Sequence, residues 1–122
     1  MTSDLMASDG GSALTVRTER QGATVILVLT GEIDLLTAPR MREAGAEALR
    51  EGPAALVLDL TDVSFLASAG LEALVELQEK TGGTAPLRVV AGNSATLRPL
   101  EITGLTEVLA VYPSLAEALA VG

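Results

Sequence analysis

The sequence predicts an α/β domain, in which an N-terminal β-hairpin leads into alternating strands and helices. Two observations predict it. The apolar period switches repeatedly between two and 3.6 along the 122 residues. Near-continuous apolar runs such as Val25-Ile26-Leu27-Val28-Leu29 and Ala55-Leu56-Val57-Leu58 suit strands buried on both faces. The predicted order is ββαβαβαβα. Strand–helix alternation argues for parallel strands joined by right-handed crossovers.

Residues 1–11 are small and polar, end in Gly10-Gly11, and read as a flexible tail before a single domain over 12–122. Ala13 to Glu19 alternates and suits an edge strand, with Gln21-Gly22 as the hairpin turn. The strand Val25–Leu29 is expected to close at Gly31-Glu32-Ile33-Asp34. Thr37 is the expected N-cap of the next helix, and Pro39 is tolerated in a first turn. Met41, Ala44, Ala48 and Leu49 share that helix's apolar face, and Glu51-Gly52-Pro53 stops it.

A second buried strand, Ala55 to Leu60, empties into a turn that delivers Ser68 to a helix start. In that helix Leu71, Leu74, Val75 and Gln78 mark one face, and Glu72, Glu76 and Glu79 mark the other. Leu87–Val90 is a third central strand. A helix over 93–103 takes its cap from Asn93 or Ser94, is bent or shortened by Pro99, and ends at a left-handed Gly104. Val108–Val111 is a last short strand, and Pro113–Leu119 a closing helix capped near Ser114.

Composition removes whole classes of chemistry. The chain has no cysteine and no histidine, so disulfides, thiolate metal sites and the commonest general base are absent. Net charge is −8, with only Phe65 and Tyr112 as aromatics, which argues against binding nucleic acid. No apolar run approaches the ~20 residues of a membrane span, and no signal peptide is visible. The expectation is a cytoplasmic domain without membrane insertion.

The segment Leu66-Ala67-Ser68-Ala69-Gly70 superficially matches the strand–turn–helix of a nucleophile elbow. Without histidine no standard triad can form. Lys80, the only lysine, would lie roughly 18 Å along the helix from Ser68. A phosphoacceptor receiver domain fails on the lysine it needs late in the chain. Asp34, Asp59 and Asp62 could hold Mg²⁺ or Ca²⁺, but acids at strand ends are more often solvated or capping, so no metal or cofactor is expected. Physics alone favours Ser68 as a plain N-cap.

The order of motifs points further. Gly31-Glu32-Ile33-Asp34 followed by Thr37-Ala38 is similar to a G-E-L-D…T-A pattern. Leu58-Asp59-Leu60-Thr61-Asp62-Val63-Ser64-Phe65 through Ser68-x-Gly70-Leu71 resembles a "DLSGVxFxDSSGL" signature. Asn93, Gly104-Leu105 and Leu115-x-Glu117-Ala118-Leu119 fall where the same family has them. The family that Leu14 to Leu119 resembles is the STAS domain, specifically the anti-sigma factor antagonists of bacteria.

That resemblance implies a mixed sheet of about four to five strands with helices mainly on one face. It implies a regulator of transcription in stress responses, not an enzyme. The unphosphorylated antagonist binds an anti-sigma factor, usually a GHKL-type serine kinase, and so frees a sigma factor. Phosphorylation of the serine matched by Ser68 breaks the complex, and a PP2C-type phosphatase resets it. Glu32, Asp34, Thr37, Ala67, Ala69, Gly70 and Glu72 match the surrounding binding surface. A weak homodimer is admitted among the partners.

Two positions depart from the pattern: Ala67 replaces the aspartate before the phosphoserine, and Ala69 replaces a second serine. Ser64 is a weaker acceptor candidate. The alternative reading is a non-switching STAS scaffold, in a stress-signalling complex or as an accessory subunit of a lipid transporter.

Overall fold

The computed structural model describes residues 14–83 and 85–120, so the tail expected over 1–11 lies outside it. Five strands form one sheet in the order β1-β2-β3-β4-β5. They are β1 (Leu14–Gln21), β2 (Thr24–Ile33), β3 (Ala55–Leu66), β4 (Leu87–Val90) and β5 (Ala110–Tyr112). The helices are α1 (Ala38–Arg50), α2 (Ser68–Thr81), α3 (Ser94–Ile102) and α4 (Leu115–Ala120), with a 3-10 turn at Leu105–Glu107. β1 pairs antiparallel with β2, and every later pairing is parallel.

Each parallel crossover advances the sheet in one direction, and crossovers of one hand then lay their helices on one face. The larger core joins residues of α1, α2 and α3 to the sheet: Met41, Leu74, Leu77 and Leu100 pack with Leu27, Leu29, Leu58 and Val89. The smaller core lies on the opposite face, where Ala118 of α4 packs with Ile26, Val57 and Val90. Strands β2 to β4 are therefore apolar on both faces, as their continuous runs require.

The two central strands run further than the sequence reading. β2 continues through Gly31 and Glu32 to Ile33, and β3 continues six residues past Leu60. The extension contains two register shifts. Val28 pairs with Asp59 but Thr30 with Asp62; Gly31 pairs with Val63 but Glu32 with Phe65. Each shift inserts one extra residue into β3, as a β-bulge does. Consequently Leu60, Val63 and Leu66, spaced by three, all reach the larger core. Gly31 takes φ of 117° at the second shift, a value that favours glycine. The sequence motif Gly31-Glu32-Ile33 is thus strand opposite a bulge in β3, not a closing turn.

Smaller differences share a cause in packing. On α2 the buried face is Gly70, Leu71, Ala73, Leu74, Leu77 and Thr81, so Leu71 and Leu74 are buried as expected, while Val75 and Gln78 are only half-buried. β5 begins two residues later than expected, after the 3-10 turn takes up Leu105–Glu107. Pro99 sits inside α3 without ending it, and its carbonyl accepts the Thr103 N–H at 3.2 Å. Gly104 follows with φ of 77°.

Of the two expected caps of α3, Asn93 is the one used: its side chain accepts the Thr96 N–H at 3.0 Å. Its amide also donates to the Thr61 carbonyl at 3.0 Å. One side chain therefore ties α3 to the extended part of β3.

Candidate functional site

The carboxyl ends of β2 and β3 finish side by side, with Ile33 paired to Leu66. One residue later the Ala67 N–H donates to the Ile33 carbonyl at 2.9 Å. The turn into α2 is then a single extended residue, Ala67, with φ −86° and ψ 172°. Its carbonyl accepts the N–H groups of Gly70 at 2.9 Å and Leu71 at 3.1 Å. Ala67 is the N-cap and Ser68 the first helical residue, so the reading of Ser68 as the cap is corrected.

This shift matters chemically. An alanine cap offers no side-chain acceptor, so the N–H groups of Ser68 and Ala69 have no partner of the usual kind. Ser68 is exposed, and its hydroxyl makes no hydrogen bond to another described residue. A phosphate there would meet free N–H groups and the positive end of the helix dipole. Ser64, by contrast, lies within β3, and its hydroxyl donates to the Gly31 carbonyl at 3.3 Å.

The neighbouring loop is rigid for identifiable reasons. Asp34 Oδ1 accepts the N–H groups of Leu36 and Thr37, each at 3.0 Å. The Thr37 hydroxyl accepts the Asp34 N–H at 2.9 Å and shares its proton between the Glu32 carbonyl at 2.8 Å and Asp34 Oδ1 at 3.1 Å. The Thr37 N–H, then the Thr37 hydroxyl and the Leu36 N–H, hold the Asp34 carboxyl below its ordinary pKa, against a smaller opposing effect of burial. Thr37 stands at the N-cap of α1, but its side chain bonds backward into the loop instead of capping the helix. Asp59, another of the acids considered for a metal, is similarly engaged: its Oδ1 accepts from the Thr61 N–H at 3.0 Å and hydroxyl at 2.5 Å.

Residues 15–118 match the family model for the STAS domain. The chain belongs to the STAS domain family.

This STAS domain is 38% identical over 107 residues to the anti-sigma-F factor antagonist RsfB of Mycobacterium tuberculosis, covering 88% of each chain. It is 35% identical over 95 residues to the anti-sigma-B factor antagonist of Listeria monocytogenes, covering 76% of this chain and 82% of that one. Its fold superimposes on the crystal structure of an anti-sigma factor antagonist from Mycobacterium paratuberculosis with a TM-score of 0.84 at 38% identity. That match covers 88% of this chain and 92% of the other.

The residues expected around Ser68 fall into two groups in this STAS domain. Ala67, Ala69, Gly70 and Glu72 are contiguous with Ser68 on the turn and first coils of α2, with only Glu72 fully exposed. Glu32, Asp34 and Thr37 belong to the end of β2 and its loop, brought alongside by the Ile33–Leu66 pairing. Gly70 is the structural joint between the groups. A Cβ added there would stand 2.6 Å from Ile33 Cγ2 and 2.7 Å from Leu66 Cδ1.

Sequence reading missed the apolar side chains left in water at this end of the sheet. Leu35 is 77% exposed, Leu36 83%, Ile102 73% and Phe65 50%. Adjacent leucines between a strand and a helix, outside either period, were the available signal. Two grooves also flank Ser68. One, of about 510 Å³, runs along α2 past Leu71, Glu72, Val75, Glu76, Glu79 and Leu105. The other, of about 480 Å³, lies between α2 and α3 and includes Arg98 and Ile102. Exposed apolar side chains bordered by polar groups are the usual make-up of a protein-binding surface.

Proposed function

We propose that this STAS domain is an anti-sigma factor antagonist, switched at Ser68. Unphosphorylated, it binds an anti-sigma factor that is a GHKL-type serine kinase, and the sigma factor goes free. The kinase transfers the γ-phosphoryl of ATP to Ser68 Oγ, the hydroxyl proton leaves and ADP is the second product. The complex then separates, and a PP2C-type phosphatase removes the phosphate by hydrolysis. The names of the relatives support the antagonist role. The observation that carries the switch is the exposed, unbonded Ser68 hydroxyl on the first residue of α2, beside the loop held by Asp34 and Thr37.

Magnitudes agree with this reading. A phosphate adds about −1.5 to −2 charges at neutral pH. Against one acidic group of the partner ~6 Å away, at an effective dielectric near 20, each unit charge costs about 3 kcal/mol. That is roughly a hundredfold in affinity, without any refolding of the domain.

The deciding experiment incubates the full chain with candidate anti-sigma kinases and ATP, then maps the modified residue by mass spectrometry. Phosphate on Ser68 with loss of the complex is expected. Tight binding with no modification at Ser68 overturns the switch and leaves a pure binding module.

A further inference from the structure

Ser68 stands on the ridge between two grooves of unlike charge. The groove along α2 is lined by Glu72, Glu76 and Glu79, of which Glu76 is paired to Arg42 at 2.6 Å. Glu72 follows Ser68 by four residues on the same helix, so the two side chains are neighbours. A phosphate on Ser68 that leaned this way would meet like charge. The groove between α2 and α3 differs: among the described residues, Arg98 is the only charged one that lines it. Arg98 is exposed and makes no ion pair or hydrogen bond to another described residue. Asp34, the acid of the neighbouring loop, already accepts the hydrogen bonds of its own turn.

We propose that Arg98 receives the Ser68 phosphate in cis, forming a charge-assisted pair that bridges the first turn of α2 to α3. A guanidinium presents paired N–H donors to two phosphate oxygens at once, which a lysine in its place would not do. Ile102 lies one helical turn beyond Arg98 and lines the same groove. The bridge therefore closes the groove beside an exposed apolar side chain that an unphosphorylated chain leaves open. Phosphorylation in this picture acts twice, by adding charge against the partner and by shutting part of the surface the partner would use. The inference rests on Ser68 as the phosphoacceptor.

The test is made without a kinase. Phosphoserine is incorporated at position 68 of the full chain during translation, and the phosphate is titrated by phosphorus NMR in the wild-type, Arg98→Gln and Arg98→Lys backgrounds. The second phosphate pKa is expected about half a unit lower in the wild type than in Arg98→Gln, the scale of an exposed ion pair. Arg98→Lys should retain most of the shift. The Arg98 Nε–H signal of the wild type should move as the phosphate ionises.

Equal titration in wild type and folded Arg98→Gln overturns the pair. So does an Arg98 Nε–H signal indifferent to phosphate ionisation, a result that needs no variant to fold. A phosphorylated chain that shows the coupling but still binds its anti-sigma factor undiminished leaves the pair standing, and removes the switch reading instead.

Discussion

The Ala67 N–H donates to the Ile33 carbonyl at 2.9 Å, one residue beyond the last pairing of β2 with β3. This bond fixes the start of α2 against the end of β2, and sets Ser68 beside the Asp34 loop. The backbone thus sets the start of α2 against the end of β2, and the Asp34 and Thr37 side chains hold the loop that follows. Substitutions here separate chemistry from stability.

Ser68→Ala should keep full affinity for the cognate anti-sigma factor, since the hydroxyl makes no hydrogen bond to another described residue. Ser68→Glu should weaken binding by a factor approaching a hundred, from about 3 kcal/mol per unit charge. Isothermal titration calorimetry of the two variants is the check. Equal affinities would count against the switch.

Ala67→Asp should raise stability, because it supplies the side-chain acceptor that the N-cap of α2 lacks. The gain expected is about 1 kcal/mol, read from urea denaturation. The added carboxylate also occupies the first-turn N–H groups that a phosphate would otherwise find free. A chain carrying phosphoserine at position 68 should therefore gain less from the same substitution.

Gly70→Ala and Gly45→Ala should both destabilise the protein. At Gly70 the new methyl meets Ile33 Cγ2 at 2.6 Å and Leu66 Cδ1 at 2.7 Å, in the buried joint of the site. Overpacking of this kind costs about 1–3 kcal/mol. At Gly45 it meets Leu77 Cδ1 and Cδ2, each at 2.7 Å, and Cγ at 3.3 Å, on a side chain that is itself fully buried, so overpacking there works against the gain of about 1 kcal/mol that replacing a helical glycine returns. Thermal melting should show a drop for both.

Asp34→Ala should destabilise the protein at neutral pH and cease to matter in acid. The folded pKa of Asp34 is lowered by its bonds to Thr37 and Leu36, so its contribution is complete above the ordinary aspartate pKa. It disappears as pH falls through the lower, folded value. Melting curves of wild type and variant should converge over that acidic interval. A gap of constant size down to strong acid would show that the carboxylate is not the cause.

How far the sequence could be read depended on whether its periodicity stayed regular. Regular stretches such as Val25–Leu29, Leu87–Val90 and the Asn93 cap announced themselves. β3 did not, because its two bulges convert the inward spacing from two to three at Leu60, Val63 and Leu66. A spacing of three belongs to helices and turns, so the sequence alone places the end of this strand six residues early. Likewise Ser68 passed for a cap because serine favours that position. Only the backbone geometry moves the cap to Ala67.

The sequence by itself determined the element order, the parallel sheet, the family pattern and the identity of Ser68 as the lone hydroxyl between Leu66 and Leu71. These follow from local periodicity and residue chemistry, which need no knowledge of distant neighbours. Tertiary structure alone decided that the Asp34 loop lies against the α2 turn and that Ser68 divides an acidic groove from one holding Arg98. It also decided that Leu35, Leu36 and Ile102 face solvent. Each of these depends on strand register and helix packing between segments about thirty residues or more apart, and a bulge of one residue is enough to change them.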